Sequence, residues 1–252
     1  MPTEREKCDA LATRHPNVIL ATQIFQSDDE SIDGGVCRGM ASRWIGAHLL
    51  GRENIIAFRA LAENKNGKID VEFVRYQAAF NAVAAEFTST RERAQKLMAE
   101  AVRLTGIKDG TVAKGWFEST PTTPDVDKAA AAALKAASAL QAATSMLHRY
   151  MSGGLNELMP GPRVGYATFT QALGTHLTGN GFYYIGLGGT HAIAFYVEQA
   201  GKCMFIDANT GEWLASDLAS LAAFFSDYMQ TIYGNHYAGV NVATFSCPAV
   251  VV

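Results

Sequence analysis

Three short apolar runs near the C-terminal end restrict the fold most: FYYIGL (182–187), HAIAFYV (191–197) and KCMFID (202–207). Only a few residues separate them, glycine among them each time. Parallel strands need a crossover of a dozen or more residues, so runs spaced this closely read as consecutive antiparallel strands. Val240–Cys247 reads as a closing strand, and Ser216–Tyr233, with Leu218, Leu221, Phe224, Phe225 and Met229 on one side, as a helix between them.

The front of the chain has the helical period instead. Phe73, Tyr76, Phe80, Val83, Phe87, Ala94, Met98 and Val102 recur at helical spacing over 71–104, with a break expected at Thr88–Thr90. Residues 125–151 are alanine-rich and of high helix propensity, and Leu134, Leu140, Met146 and Leu147 mark an apolar face. A third helix is expected over 166–177, a polar helical lead-in before Pro16, a short strand over 17–25, a turn at 64–68 and loops at 111–124 and 153–162. Residues 52–63 fit helix or strand equally. Helices first and strands afterwards, with no internal repeat, make the fold class α+β rather than a βαβ alternation.

One thiol stands in a place that suits chemistry. In SIDGGVCRGMASRWIGAHLL (31–50), Gly34 and Gly35 interrupt regular structure, Asp33 is a candidate cap, and Met40, Ala41, Trp44, Ile45, His48 and Leu49 follow the helical period. Cys37 then lies in the first turn of a helix, where the partial positive charge favours a thiolate, the reactive form. The bland alternative is a buried cysteine acting as a small hydrophobe.

His191 opens the second strand after Gly188 and Gly189. Asp207 ends the third, in FIDANTGEW, a sequence that also makes a good turn. A turn over 198–201 would pair 195 with 203, 193 with 205 and 191 with 207, putting His191 directly opposite Asp207 and Ile193, Phe195, Cys203 and Phe205 on the same face. Cys37, His191 and Asp207 would then form a nucleophile, a base and the group that orients the base. The backbone N–H of Cys37 would be one donor to an oxyanion, and the side chain of Gln23 or Gln26 the other.

GGVCRGMASRWI, GGTHAIAFYV and FIDANTGEW resemble the three motifs of the YopT/AvrPphB-type papain-like cysteine proteases of bacterial effectors. The resemblance implies a single papain-like catalytic domain over 1–252, with a helical lobe (about 31–179) carrying Cys37 and a sheet lobe (about 181–252) carrying His191 and Asp207. It implies a Cys-His-Asp cysteine endopeptidase that uses no cofactor or metal. It also implies export by a specialised bacterial secretion system without a cleavable signal, action in the host cytoplasm, and a host signalling protein as substrate. The helices over 71–177 fall outside it. Members acylated on a glycine near the terminus differ from this chain, which has Pro2. An acyltransferase, deamidase or amidase would use the same triad. A helical interaction module with a structural thiol is the non-enzymatic alternative.

Charge and cysteine usage narrow the rest. A net charge of −3 argues against a nucleic-acid or anionic-membrane surface. Cys8, Cys37, Cys203 and Cys247 are scattered, with no CxxC pair, which fits neither a zinc site nor a disulfide framework. Cys8 reads as unreactive, Cys203 as core, His48 as a helix-surface or interface residue, Asp217 as a helix N-terminal residue, and Trp213 as a cleft or core residue. No stretch is apolar enough to span a membrane.

Overall fold

The computed structural model describes residues 2–26, 29, 35–63, 68–105, 123–155, 157–198, 201–234, 236–237 and 239–248. In chain order its elements are α1 (Glu4–Arg14), β1 (Val18–Gln23), α2 (Cys37–Leu50), α3 (Arg52–Ala62), α4 (Val71–Thr105), α5 (Pro124–Met151), β2 (Met159–Gly165), α6 (Tyr166–Gln171), α7 (Leu173–His176), β3 (Gly181–Leu187), β4 (His191–Val197), β5 (Cys203–Asp207), β6 (Gly211–Ala215), α8 (Leu218–Ile232) and β7 (Asn241–Cys247). The fold is α+β, and all pairings of its seven-stranded sheet, ordered β1-β6-β5-β4-β3-β7-β2, are antiparallel. Among the described residues no helix is long and apolar enough to cross a membrane.

The chain divides into two compact units, residues 1–80 with 148–252, and residues 81–147. In the first, both faces of the sheet are covered, which is why its central strands read as continuous apolar runs. One face packs Ile185, Ile193, Phe195, Phe205 and Trp213 with Phe224, Phe225 and Tyr228 of α8, Phe169 of α6 and Leu11 of α1. On the other face α2 lies against β4, and Trp44 meets Phe182 edge-on at 5.9 Å. A helix so placed is buried nearly all round, and Met40, Ala41, Trp44 and Ile45 are all inaccessible to solvent.

The second unit holds the rest of α4 and most of α5. Among its described residues the buried positions are Ala94 and Ala101 on α4 and Ala130, Ala133, Ala136 and Leu147 on α5, whereas Leu134 and Met146 are exposed. Of the leucine and methionine row expected on α5, Leu147 is therefore buried, and alanines take the buried positions earlier in the helix.

Several elements differ from the sequence reading. Residues 52–62 are helical. α4 runs through Thr88–Thr90 unbroken, because Thr88 turns its hydroxyl back to the Ala84 carbonyl and stays within the helix. The third helix is two short ones, parted at Ala172. The loop expected at 153–162 gives way to β2 at Met159; it holds Pro160 and Pro162 as an edge strand whose register shifts between Pro160 and Arg163, the setting that tolerates proline. β6 was hidden in the turn-like sequence after Asp207. The turn expected at 64–68 falls largely outside the described residues, as do the loop 111–124 and Asp33.

Candidate active site

α2 begins at Cys37 itself. Gly35 has φ 69°, and Val36 is the N-cap without a side-chain cap. The first-turn N–H of Gly39 donates to Gln77 Oε1 at 2.7 Å, so α4 fixes this end of the helix. Two bonds tie it to the β3–β4 turn as well: the Arg38 guanidinium donates to the Gly189 carbonyl, and Cys37 Sγ lies 3.9 Å from the Thr190 carbonyl oxygen.

Leu187 pairs with His191 across a turn in which Gly188 and Gly189 have φ of 59° and 76°. Two successive positive φ values are what the tight mirror-image hairpin turns need, and glycine supplies them without strain. His191 thus stands at the strand end, 6 % exposed, beside the tip of α2. Its Nε2 lies 3.1 Å from Asp207 Oδ1. It also hydrogen-bonds Cys37, and with Nε2 occupied that contact falls to Nδ1.

The expected register is wrong by two residues. Phe195 pairs with Phe205 and Ala194 with Ile206, because the β4–β5 connection is longer than the turn expected over 198–201. A shift of two keeps every side chain on its own face. Ile193, Phe195, Cys203 and Phe205 are accordingly all buried together, and Asp207 meets His191 on the diagonal.

Asp207 is 1 % exposed and fully partnered. Its Oδ1 also accepts from the Asn209 N–H at 2.9 Å, and its Oδ2 accepts from Tyr228 Oη at 2.9 Å and Tyr233 Oη at 2.6 Å. Burial alone would raise this carboxyl; His191, Tyr233 and the Asn209 N–H outweigh it and hold it below the ordinary carboxylate range. For His191, burial would push the ring down, but the Asp207 carboxylate and then Cys37 hold it up at about 10. Burial likewise pushes the Cys37 thiol up, and the hydrogen bond and charge of His191 bring it below its usual value. All three shifts favour a thiolate beside an imidazolium.

Of the two glutamines, Gln26 lies at the site and Gln23 does not. Gln26 Oε1 accepts from the Val36 N–H at 2.8 Å, next to the nucleophile, and its Nε2 donates to Asn209 Oδ1. Gln23 is exposed on β1 and accepts from Arg5. Cys8 is buried and pushed up to about 12, chiefly by burial, and Cys203 is also raised by burial. Asp217 caps α8, accepting from the Ser220 N–H at 2.7 Å. Trp213 is core, 4.7 Å from the Phe224 ring.

Sequence reasoning missed four residues. Asn209, Tyr228 and Tyr233 surround the carboxylate, but a turn asparagine and two tyrosines on an apolar helix carry no motif. Buried Glu212 accepts from Trp44 Nε1 at 2.9 Å and Arg59 Nε at 2.6 Å, with His48 Nε2 3.4 Å away. His48 is therefore not a surface or interface residue but a buried neighbour of a buried acid. A charged residue within an apolar strand beside Trp213 was the available signal.

No family model matches this sequence, and no curated protein sequence matches it. Among solved structures, the chain is similar to the crystal structure of the Pseudomonas avirulence protein AvrPphB, with 14 % identity over 89 % of this chain and 95 % of that one, at a TM-score of 0.44.

Proposed function

We propose that the chain is a cysteine protease of the YopT/AvrPphB type, with Cys37 as nucleophile, His191 as base and then acid, and Asp207 as the group that orients and charges the imidazole. One observation carries the reading: a sulfur at the tip of a helix, hydrogen-bonded to an imidazole whose far nitrogen is held by a buried carboxylate. The thiolate attacks a peptide carbonyl, and the oxygen becomes negative beside the Cys37 N–H at the tip of α2. The imidazolium protonates the departing amine, and water, deprotonated by the same ring, resolves the acyl-enzyme. The three motifs and the absence of any cofactor requirement in this chemistry fit the same reading, with a host protein as substrate after export from a bacterium. All the residues named in these steps belong to the unit formed by 1–80 with 148–252.

The test is alkylation of Cys37 by iodoacetamide against that of Cys8 at about pH 5.5, where an unassisted thiol is almost wholly protonated. Preferential reaction at Cys37, lost in His191→Ala, is expected, together with new peptide termini in a host-cell lysate that Cys37→Ala does not produce. Equal reaction of the two thiols would remove the nucleophile. A substrate that gains an acyl group, or turns an amide into an acid, instead of being cut would assign the triad to transfer or deamidation.

A further inference from the structure

Tyr233, just past the end of α8, has its hydroxyl oxygen 3.0 Å from His191 Nε2 and 2.6 Å from Asp207 Oδ2. Tyr228, five residues earlier, bonds the same carboxylate oxygen at 2.9 Å, but its hydroxyl also bonds Thr210 rather than the ring. Tyr233 thus touches both the ring and the acid.

The polarity of the bonds around it follows from which groups can only give or only take. The Val36 N–H donates to Gln26 Oε1, so the Gln26 amide nitrogen faces Asn209 Oδ1. That leaves Asn209 Nδ2 to donate into the Tyr233 oxygen, at 2.8 Å. Asp207 is ionised and accepts only, so the single phenolic proton goes to its Oδ2. Burial and the nearby Asp207 charge raise Tyr233 well above its ordinary value, so it keeps that proton. His191 Nε2 can then approach the Tyr233 oxygen only as a donor. Five residues, starting one position before the nucleophile, impose the same answer: the proton is on Nε2, and Nδ1 is presented to Cys37.

Resting on the Cys-His-Asp reading above, we infer that Tyr233 is a positioning residue of the site: its oxygen, oriented by Asn209, is a second acceptor for the Nε2–H of His191 and holds the ring with Nδ1 towards Cys37. A ring held from two directions cannot swing about a single hydrogen bond to Asp207, so the thiolate and the imidazolium stay paired. The groups facing the ring are Cys37 from α2, Asp207 from β5, Tyr233 from the end of α8, and Tyr237, whose ring lies parallel to it with centroids 6.3 Å apart; Arg38 caps the neighbouring turn.

The experiment is the pH profile of Cys37 alkylation in the full chain, in the wild type, Tyr233→Phe and Tyr228→Phe, with thermal melting of each. Tyr233→Phe is expected to move the acid limb up by about half to one pH unit, a loss of about three- to tenfold in rate on that limb, with the alkaline plateau kept. Tyr228→Phe, which alters the same carboxylate oxygen without touching the ring, should move the limb less. In parallel, the downfield Nε2 proton resonance of His191 should shift or broaden in Tyr233→Phe. An unmoved limb and resonance in a folded Tyr233→Phe, or equal displacement by both variants, would overturn the inference while leaving the triad in place. A wild type without an acid-side thiolate at Cys37 would remove the triad, and this role with it.

Discussion

Asp207 does not face His191 across the β4–β5 ladder; it lies on the diagonal, and its Oδ1 still comes within 3.1 Å of Nε2. Diagonal neighbours on one face are farther apart than direct ones, and the imidazole is long enough to close the gap. Asp207→Asn keeps the shape and removes the charge. It should lower kcat by about 10²- to 10⁴-fold. The alkaline limb of the rate profile should also fall, because Asp207 is what holds His191 up at about 10 against burial. An alkaline limb that stays put would show that the carboxylate does not charge the ring.

The same shift makes a statement about stability. His191 is raised on folding, so its contribution is full below its ordinary value of 6.5 and is lost as pH rises through about 10. The difference in melting temperature between the wild type and His191→Ala should therefore shrink from pH 7 towards about pH 11. A difference that grows on the alkaline side would contradict this.

Glu212 anchors the middle of α2 and the side chain of Arg59 to β6. Glu212→Ala leaves Arg59 without its carboxylate and should cost about 3 kcal/mol, at the low end for a broken buried pair because Arg59 is 35 % exposed. Burial would raise this acid, but His48, Arg59 and Trp44 bring it down from 4.5 to about 2. Its contribution is present above the higher value and disappears through the lower one. Denaturant titrations of the wild type and Glu212→Gln should converge as pH falls across that range.

Gly39 sets how closely α2 approaches α4. A Cβ there would stand 2.9 Å from the Gln77 backbone nitrogen and 3.0 Å from the Phe73 carbonyl oxygen, neither of which can yield as a flexible side chain does. Gly39→Ala should destabilise by about 1–3 kcal/mol. It should also slow Cys37 alkylation, because the first turn of α2 has to move. Normal alkylation in a destabilised variant would mean that the tip of the helix adjusts independently.

Residues 80 and 148 bound one compact unit from within, and the Tyr76 hydroxyl donates to the Tyr150 carbonyl at 2.9 Å just inside those limits. Replacing residues 81–147 with a short glycine-serine linker should leave a folded protein with the Cys37 alkylation profile of the full chain. Loss of that profile in a folded product would give the helical unit a part in the site.

The sequence yielded the elements whose periodicity is strong and local. β3, β4 and β5 are apolar runs cut by glycine, and α2 begins where a glycine pair meets a helical pattern. What eluded it depends on distant partners. β2 is a strand only because β7 lies beside it, and its two prolines argue for a loop when read alone. On α5, Leu147 is buried as its period suggests, but Leu134 is exposed while Ala130, Ala133 and Ala136 are buried, which the sequence does not signal. At the site, the motifs yielded Cys37, His191 and Asp207, and the register error was harmless because it was even. Tyr233 could not be read, since what brings it to the carboxylate is the packing of α8 on the sheet, and Asn209, two residues from Asp207 in the β5–β6 turn, looks like any turn asparagine.

The order of the sheet has a consequence for the cell that makes the protein. Cys37 is translated early, whereas β4, β5 and the end of α8 emerge from the ribosome far later. Until the last of them docks, the sulfur has neither base nor acid beside it and behaves as an ordinary thiol. On the proposed reading, Cys37 therefore gains the activation that His191 and Asp207 give it only once β4, β5 and the end of α8 have been laid against α2.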